Sequence, residues 1–161
     1  MVQSVTTQSL IETQALGEAI GRAMQGGEVF EFISDVGGGK TTFVKGLARG
    51  LGVGDVVQSP TYTISRLYQG RDGLELHHFD FYRLEEAGVV AAELAESLAQ
   101  QGAIVAVEWG ELVHNVLPAI RATLSIASIN DETRRLTFDL PKEYNHIRQT
   151  ILNYKTEWHL V

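Results

Sequence analysis

The chain has no cysteine, so it can form neither a disulfide bond nor a thiolate metal site. Its five histidines show no paired spacing of metal ligands, which argues against a structural zinc. No apolar run approaches the roughly 20 residues that a membrane-spanning helix needs. The first ten residues also lack the basic start and apolar centre of a secretory signal, so we expect a cytoplasmic protein.

Basic residues are outnumbered, because 13 Lys and Arg stand against 20 Asp and Glu and leave a formal charge of −7. A surface of this sign repels a phosphate backbone, so we do not expect the chain to bind nucleic acid on its own. A small basic group, Arg134, Arg135, Lys142 and Arg148, is interpreted as a solvated face. With 161 residues, 44% of them apolar, the chain predicts a single domain, residues 1–161.

Helical and strand-like segments are interleaved along the chain. Ser9 can cap a helix that runs to about Met24, since Glu12 stands three residues after the cap. An apolar strand over 29–33 leads into a cluster of glycines, and Phe43, Val44, Leu47 and Leu51 mark one face of a second helix that ends near 50–54. The other predicted elements are a hairpin of 62–68 and 74–81, a helix over 85–100, a strand over 103–107, a hairpin of 121–129 and 134–140, and an appended final helix over 143–154. This order predicts an α/β fold with a mixed sheet, helices on both faces and added antiparallel hairpins.

The glycine cluster is part of a phosphate-binding pattern. Residues 34–42 read Ser-Asp-Val-Gly-Gly-Gly-Lys-Thr-Thr and match G-x-x-x-x-G-K-[ST] except at the first position, which is Ser34. Successive glycines let backbone N–H groups converge on phosphate oxygens, and the following helix directs its positive N-terminal end at the same anion. We therefore predict a P-loop NTPase-like fold that binds ATP with Mg²⁺. The residues expected to contact the nucleotide here are Asp35, Val36, Gly37, Gly38, Gly39, Lys40, Thr41 and Thr42.

Three side chains of this segment have distinct expected roles. Lys40 would reach the β- and γ-phosphates, the hydroxyl of Thr41 would ligate Mg²⁺, and Thr42 would donate to the more proximal phosphates. The alternative is an ordinary glycine-rich turn between a strand and a helix, which needs no nucleotide. The Lys-Thr-Thr sequence at the required offset favours nucleotide binding.

Acidic residues end two of the predicted strands. Mg²⁺ takes oxygen ligands, so Asp80 and Glu108 are both candidates to hold it, although either could instead be a solvated surface residue. Trp109 could line the nucleotide pocket or be a core or rim aromatic. His77 and His78 are interpreted as strand residues rather than catalysts, because the sequence shows no partner that would orient them.

Four segments together are similar to those of a known family. They are Gly-Gly-Gly-Lys-Thr-Thr at 37–42, Ser-Pro-Thr-Tyr-Thr at 59–63, His-Phe-Asp-Phe-Tyr-Arg-Leu at 78–84 and Val-Glu-Trp at 107–109. In this order and spacing they resemble the TsaE family, the bacterial ATPase of tRNA threonylcarbamoyladenosine biosynthesis. The resemblance runs from about Ser9 to Leu140, so the final helix lies outside it.

The resemblance implies a small ATPase that works with the TsaD and TsaB proteins, which together with TsaC modify adenosine 37 of ANN-decoding tRNAs. It implies that tRNA is met only through that complex. Lys40 and the loop would bind phosphates, and Thr41 and Glu108 would hold Mg²⁺. Asp80 would position or activate the hydrolytic water, Thr61 would contact the γ-phosphate from a switch-like loop, and Trp109 would lie beside the nucleotide. The family usually has glycine where this chain has Ser34.

Other nucleotide-binding classes remain as alternatives. A regulatory GTPase is disfavoured, since the sequence has no Asn-Lys-x-Asp motif to recognise guanine. A small-molecule kinase is disfavoured, because no arginine-rich lid segment follows the core helices. A nucleotide-gated interaction module would share every motif and differ only in turnover. Arg83, Arg134 and Arg135 are candidates for an arginine finger that the sequence does not place.

Overall fold

The core of the protein is one mixed β-sheet. The computed structural model describes residues 1–33, 37–60 and 62–158, and for residues 155–158 it describes the backbone alone. Within this part of the chain seven strands lie in the order β1-β7-β6-β2-β5-β4-β3. The strands are β1 (Val2–Thr7), β2 (Val29–Ile33), β3 (Ser65–Gln69), β4 (Glu75–Asp80), β5 (Ala103–Glu108), β6 (Ala122–Ser128) and β7 (Arg134–Asp139). The helices are α1 (Leu10–Ala23), α2 (Lys40–Gly50), α3 (Gly88–Ala99) and α4 (Asn145–Trp158).

The centre of the sheet is parallel and its edges are antiparallel. Strand β2 runs parallel to β5 and β6, and β4 runs parallel to β5. Strands β3 and β4 form one hairpin and β6 and β7 another, and β1 joins antiparallel to β7. The predicted mixed sheet with added hairpins is therefore confirmed. In α/β sheets ligands bind at the carboxyl ends of the parallel strands. We therefore expect a binding site at the edge of the sheet where the parallel strands end.

Helices cover both faces of the sheet, as the sequence predicted. Helices α1, α2 and α4 share one core with the inward residues of β2, β6 and β7, and this core includes Phe43 of α2, Phe30 of β2 and Phe138 of β7. Helix α3 covers the other face through Leu94, which packs in a second core with Phe79. Among the described residues no helix has the length and apolar character needed to cross a membrane.

Helix α1 begins as its sequence predicts. The side chain of Ser9 accepts a hydrogen bond from the Glu12 N–H at 3.1 Å, and Glu12 Oε2 accepts one from the Gln8 N–H at 2.7 Å. These reciprocal bonds satisfy two N–H groups that the helix cannot satisfy internally. The helix ends at Ala23, one residue before the predicted end.

The contact between α1 and α2 is unusually close because both helices present glycine to it. A Cβ added to Gly17 or Gly21 of α1 would lie 2.4 or 2.2 Å from a backbone oxygen of α2. A Cβ on Gly46 or Gly50 of α2 would lie 2.0 or 2.1 Å from a backbone oxygen of α1. No side chain fits between the two backbones, so this contact fixes where α2 lies and where its N-terminus points.

Several boundaries differ from the sequence-based predictions. Strand β1 was not predicted, because Val5 and Thr7 are the only residues of it that are buried and too few to produce an alternating pattern. Strand β3 begins at Ser65 instead of residue 62, since Thr63 and Ile64 form a turn in which their N–H groups both donate to the Pro60 carbonyl. Helix α3 begins at residue 88 instead of 85, and α4 spans 145–158 instead of 143–154.

Helix α4 lies beyond the segment of family resemblance and yet belongs to the main core. Its residues Ile147 and Ile151 are fully buried. The Tyr154 hydroxyl donates to the Glu12 carbonyl of α1 at 3.1 Å, and burial raises the pKa of Tyr154 to about 12. Just before the helix, the Tyr144 hydroxyl accepts a hydrogen bond from the Val29 N–H at 2.8 Å. These contacts attach α4 to both α1 and β2.

The glycine contact between α1 and α2 can be tested by stability. Gly46→Ala should destabilise the fold by about 1–3 kcal/mol, because the new methyl group has no space and the gain in helix propensity is only about 1 kcal/mol. Gly54→Ala is the matched control, since a Cβ there meets nothing within 4 Å. Urea unfolding of both variants would measure the difference. If Gly46→Ala were as stable as Gly54→Ala, the contact would not constrain the two helices.

Candidate functional site

The segment between β2 and α2 lies at the carboxyl edge of the parallel strands. Gly39 is the residue that caps α2, and its φ of 101° is left-handed, as is the φ of 80° at Gly37. Glycine adopts these angles without the steric cost that a Cβ imposes, which explains the residue type at both positions. Ser34, Asp35 and Val36 of the predicted phosphate loop lie outside the described residues.

The N-terminus of α2 is capped without a side-chain hydrogen bond. The first N–H groups of a helix have no partner within the helix and carry a partial positive charge, so this end is suited to an anion. Thr41 and Thr42, predicted to ligate metal and phosphate, are half-buried in the first turn. The described part of the loop therefore leads into a helix N-terminus that has no side-chain cap.

Lys40 lies against the end of strand β5. Its Nζ is 3.7 Å from Glu108 Oε2 and 4.8 Å from the centre of the Trp109 ring. Lys40 is 7% exposed and Glu108 is 3% exposed, so this ion pair is largely removed from water. Removing two charges from water costs several kcal/mol per ion, which makes a role in stability alone a weak explanation for the pair.

Asp80 ends the neighbouring strand β4 directly beside Glu108. The register of the parallel strands pairs the two residues, so both side chains lie on the face of the sheet that α2 covers. Asp80 is 4% exposed, and its Oδ1 accepts a hydrogen bond from the Tyr82 N–H at 3.0 Å. The alternative that these carboxylates are solvated surface residues is therefore wrong for both. Two buried carboxylates and the Thr41 hydroxyl are oxygen ligands of the kind Mg²⁺ takes.

The two adjacent histidines of β4 face opposite sides of the sheet. His77 lies under α3, with Nδ1 2.7 Å from Ser97 Oγ and Nε2 2.9 Å from Glu75 Oε2. The hydrogen bond from His77 lowers the pKa of Glu75 below its ordinary value, and a hydrogen bond from Gln69 lowers it further by a smaller amount. The interpretation of His77 as a structural residue of the strand agrees with these contacts.

His78 faces the candidate site instead. Its Nε2 lies 2.8 Å from Glu108 Oε1, and its side chain is completely buried. The sequence showed no partner for this residue, because a contact between strands separated by 30 positions depends on the register of the sheet. The only sequence feature that could have indicated this role is that His78 stands two residues before Asp80, on the same face of the strand.

Two of the three residues other than glycine that have positive φ in the described part of the chain lie near the acidic residues. Trp109 has a φ of 57°, and Ile64, which precedes β3, has a φ of 70°. Positive φ is costly for side chains of this size, and strained residues cluster at active sites and switch regions. The Ile64 carbonyl accepts a hydrogen bond from the Asp80 N–H at 2.8 Å, so the residue that precedes β3 is connected directly to Asp80. Thr61, the predicted γ-phosphate contact, lies outside the described residues.

Aromatic side chains extend from the site to the surface. The Trp109 ring lies 4.9 Å from the ring of Tyr82, which is half exposed. The guanidinium of Arg83 lies 4.6 Å from the centre of the Tyr62 ring, and Tyr62 is 83% exposed. Trp109 is thus partly buried, lies beside Lys40 and packs against the second core.

Of the three candidate arginines, Arg134 lies beside the glycine segment. A Cβ added to Gly39 would be 3.4 Å from Arg134 Nε. Arg134 is 8% exposed, and its Nη1 donates to the carbonyls of Asn130 and Thr133 at 2.7 and 3.1 Å. The interpretation of Arg134 as part of a solvated basic face is therefore wrong. The inward-facing positions of β7 explain its burial, and Arg135 beside it is exposed.

The comparisons with known proteins agree with the extent of the resemblance. A family model described as "Threonylcarbamoyl adenosine biosynthesis protein TsaE" matches residues 7–136. The tRNA threonylcarbamoyladenosine biosynthesis protein TsaE of Bacillus subtilis is 39% identical over 128 residues, which cover 79% of this chain and 78% of that protein. The protein with the same description from Treponema pallidum is 35% identical over 131 residues, covering 81% and 96%. A crystal structure of Bacillus subtilis YdiB superposes with a TM-score of 0.78 at 31% identity, covering 96% of this chain and 97% of that one.

Proposed function

This chain belongs to the TsaE family, and on that basis we propose that it is an ATPase that binds ATP with Mg²⁺ and supports the synthesis of N6-threonylcarbamoyladenosine at position 37 of tRNA. The observation that carries the proposal is the grouping of Lys40, Asp80 and Glu108, all buried, beside the glycine-capped start of α2. Buried charges that are costly for stability and converge beside an anion site are typical of functional sites.

The phosphates would be held by the start of α2. Backbone N–H groups of the glycine segment and of the first turn would donate to phosphate oxygens, and Lys40 would contact the β- and γ-phosphates. Lys40 is already held near this position by Glu108 and by the face of Trp109. A lysine restrained in this way loses less side-chain entropy when an anion binds.

The metal and the hydrolytic water would be handled by different carboxylates. Glu108 and Thr41 would hold Mg²⁺, which when bound neutralises charge that develops on the phosphates. Asp80 would orient the attacking water, because the Tyr82 N–H fixes one of its oxygens and the register of the strands holds it beside Glu108. Thr61 would contact the γ-phosphate.

We propose that hydrolysis depends on partners of the TsaD and TsaB kind and that tRNA is reached only through their complex. The formal charge of −7 disfavours an independent contact with a phosphate backbone. Of the candidate arginines, Arg134 has Nη1 held by two carbonyls and Arg83 lies over the Tyr62 ring, so both guanidinium groups already have partners within the described part of the chain. In P-loop enzymes an arginine supplied by a partner is worth roughly 10³ to 10⁵ in rate.

The division of labour between the two carboxylates can be tested by amide substitutions, which keep size and remove charge. Glu108→Gln should raise the Mg²⁺ concentration required for half-maximal ATP hydrolysis by about tenfold or more, as expected when a metal ligand loses its charge. Asp80→Asn should slow turnover while ATP binding is largely kept. Steady-state phosphate release and calorimetry on each variant would separate the effects. Wild-type turnover by Asp80→Asn would remove Asp80 from the mechanism.

Partner dependence can be tested by mixing purified proteins. The chain alone should release phosphate from ATP slowly and bind tRNA poorly at physiological salt, and addition of TsaD, TsaB and tRNA should accelerate phosphate release. Lys40→Ala is the control for a contaminating ATPase. Rapid turnover by the isolated chain would contradict partner dependence. ATP binding without any turnover in the complete mixture would instead indicate a nucleotide-gated interaction module.

A further inference from the structure

The contact between His78 and Glu108 crosses between two strands. In the register of β4 and β5, His78 lies opposite Ala106 and Asp80 lies opposite Glu108. The small side chain of Ala106 leaves the imidazole room to lean along the strand toward Glu108, and Nε2 reaches Oε1 at 2.8 Å. This is hydrogen-bond distance between two completely or almost completely buried groups.

The two carboxylate oxygens of Glu108 are contacted by different residues and at different distances. His78 bonds Oε1 at 2.8 Å, whereas Lys40 Nζ approaches Oε2 only to 3.7 Å. An ion pair at 3.7 Å attracts but does not impose the directional geometry of a hydrogen bond. The orientation of the carboxylate is therefore set chiefly by His78.

The hydrogen bond to Glu108 also indicates which ring nitrogen of His78 carries the proton. A carboxylate can only accept, so Nε2 carries the proton in this contact. Within the described part of the chain the buried Nδ1 has no hydrogen-bond partner. This agrees with a tautomer in which Nδ1 carries no proton and therefore has none to donate. Among the described residues, Glu108 is therefore the only side chain with which the ring forms a hydrogen bond.

We propose that His78 is a positioning residue for Glu108. By fixing Oε1, it directs Oε2 toward Lys40 and the start of α2, where the function proposed above requires a ligand for Mg²⁺. A second group that orients a metal-binding carboxylate in this way commonly governs metal affinity by about 10- to 100-fold. This inference rests on the proposed function and adds to it the residue that orients the metal ligand.

The test compares variants of His78 that keep or lose a hydrogen-bond donor able to reach Glu108. In His78→Gln the side-chain amide can still donate from about the position of Nε2, and in His78→Leu the donor is lost. Mn²⁺ binding in the presence of ATP, followed by electron paramagnetic resonance, measures metal affinity without relying on turnover. We expect His78→Leu to weaken Mn²⁺ binding at least about tenfold, His78→Gln to restore most of it, and ATP affinity without metal to be unchanged. Should His78→Leu fail to fold, His78→Asn replaces it, because its shorter amide cannot reach Glu108.

His77→Leu is the matched control. His77 is adjacent, equally buried and bonded to a carboxylate, but it lies on the other face of the sheet. It should lose stability with no change in Mn²⁺ affinity. Wild-type Mn²⁺ affinity in a folded His78→Leu protein, or equal losses in His78→Gln and His78→Leu, would overturn the proposal.

A measurement on the metal-free protein separates this inference from the proposed function. ¹⁵N NMR of the histidine rings should show His78 with its proton on Nε2 and a bare Nδ1, whether or not the protein binds nucleotide. A proton on Nδ1 would remove the bond to Glu108 and with it the proposal. If the wild-type protein bound no Mn²⁺ with ATP, the proposed function would fail and the positioning role with it, even though the NMR tautomer stood.

Discussion

Two opposite charges, those of Lys40 and Glu108, are withdrawn from water at the carboxyl edge of the sheet. A pair of this kind is expensive, because each ion loses several kcal/mol of hydration that their attraction regains only in good geometry. Much of the surrounding architecture serves to hold the two groups in place. The parallel register fixes Glu108 beside Asp80, and His78 fixes the orientation of its carboxylate.

The position of Lys40, the basic residue of this ion pair, is set by the packing of the helix that carries it. Gly17 and Gly21 of α1 meet Gly46 and Gly50 of α2 so closely that the backbones touch, and this contact sets the position of the helix that carries Lys40. Helix α4 then packs on α1 and closes the core behind it. Parts of the chain far from the sheet edge therefore determine where the α2 N-terminus points, which links the apolar core to the chemistry of the site.

The sequence predicted what depends on local pattern. The Ser9 cap, the strand before the glycines, the helix after them and the strand that ends on Glu108 all follow from the periodicity and caps of their own segments. What it missed depends on which strands become neighbours. The contact of His78 with Glu108, the burial of Arg134 against Gly39 and the pairing of β1 with β7 are set by sheet register, and no pattern within one segment records that. Polar residues at inward positions of strands next to a predicted site are the signal that could have found His78 and Arg134.

The central claim is that Lys40 and its buried acidic neighbours form a site for ATP with Mg²⁺. Calorimetric titration of the folded chain with ATP and with GTP, each with and without Mg²⁺, tests the phosphate site, the base preference and the metal in one series. The account predicts that ATP binds, that Mg²⁺ strengthens the binding, that GTP binds more weakly, and that Lys40→Ala abolishes or greatly weakens all of it. Failure of the wild-type chain to bind ATP, or the same ATP affinity in Lys40→Ala, would contradict it.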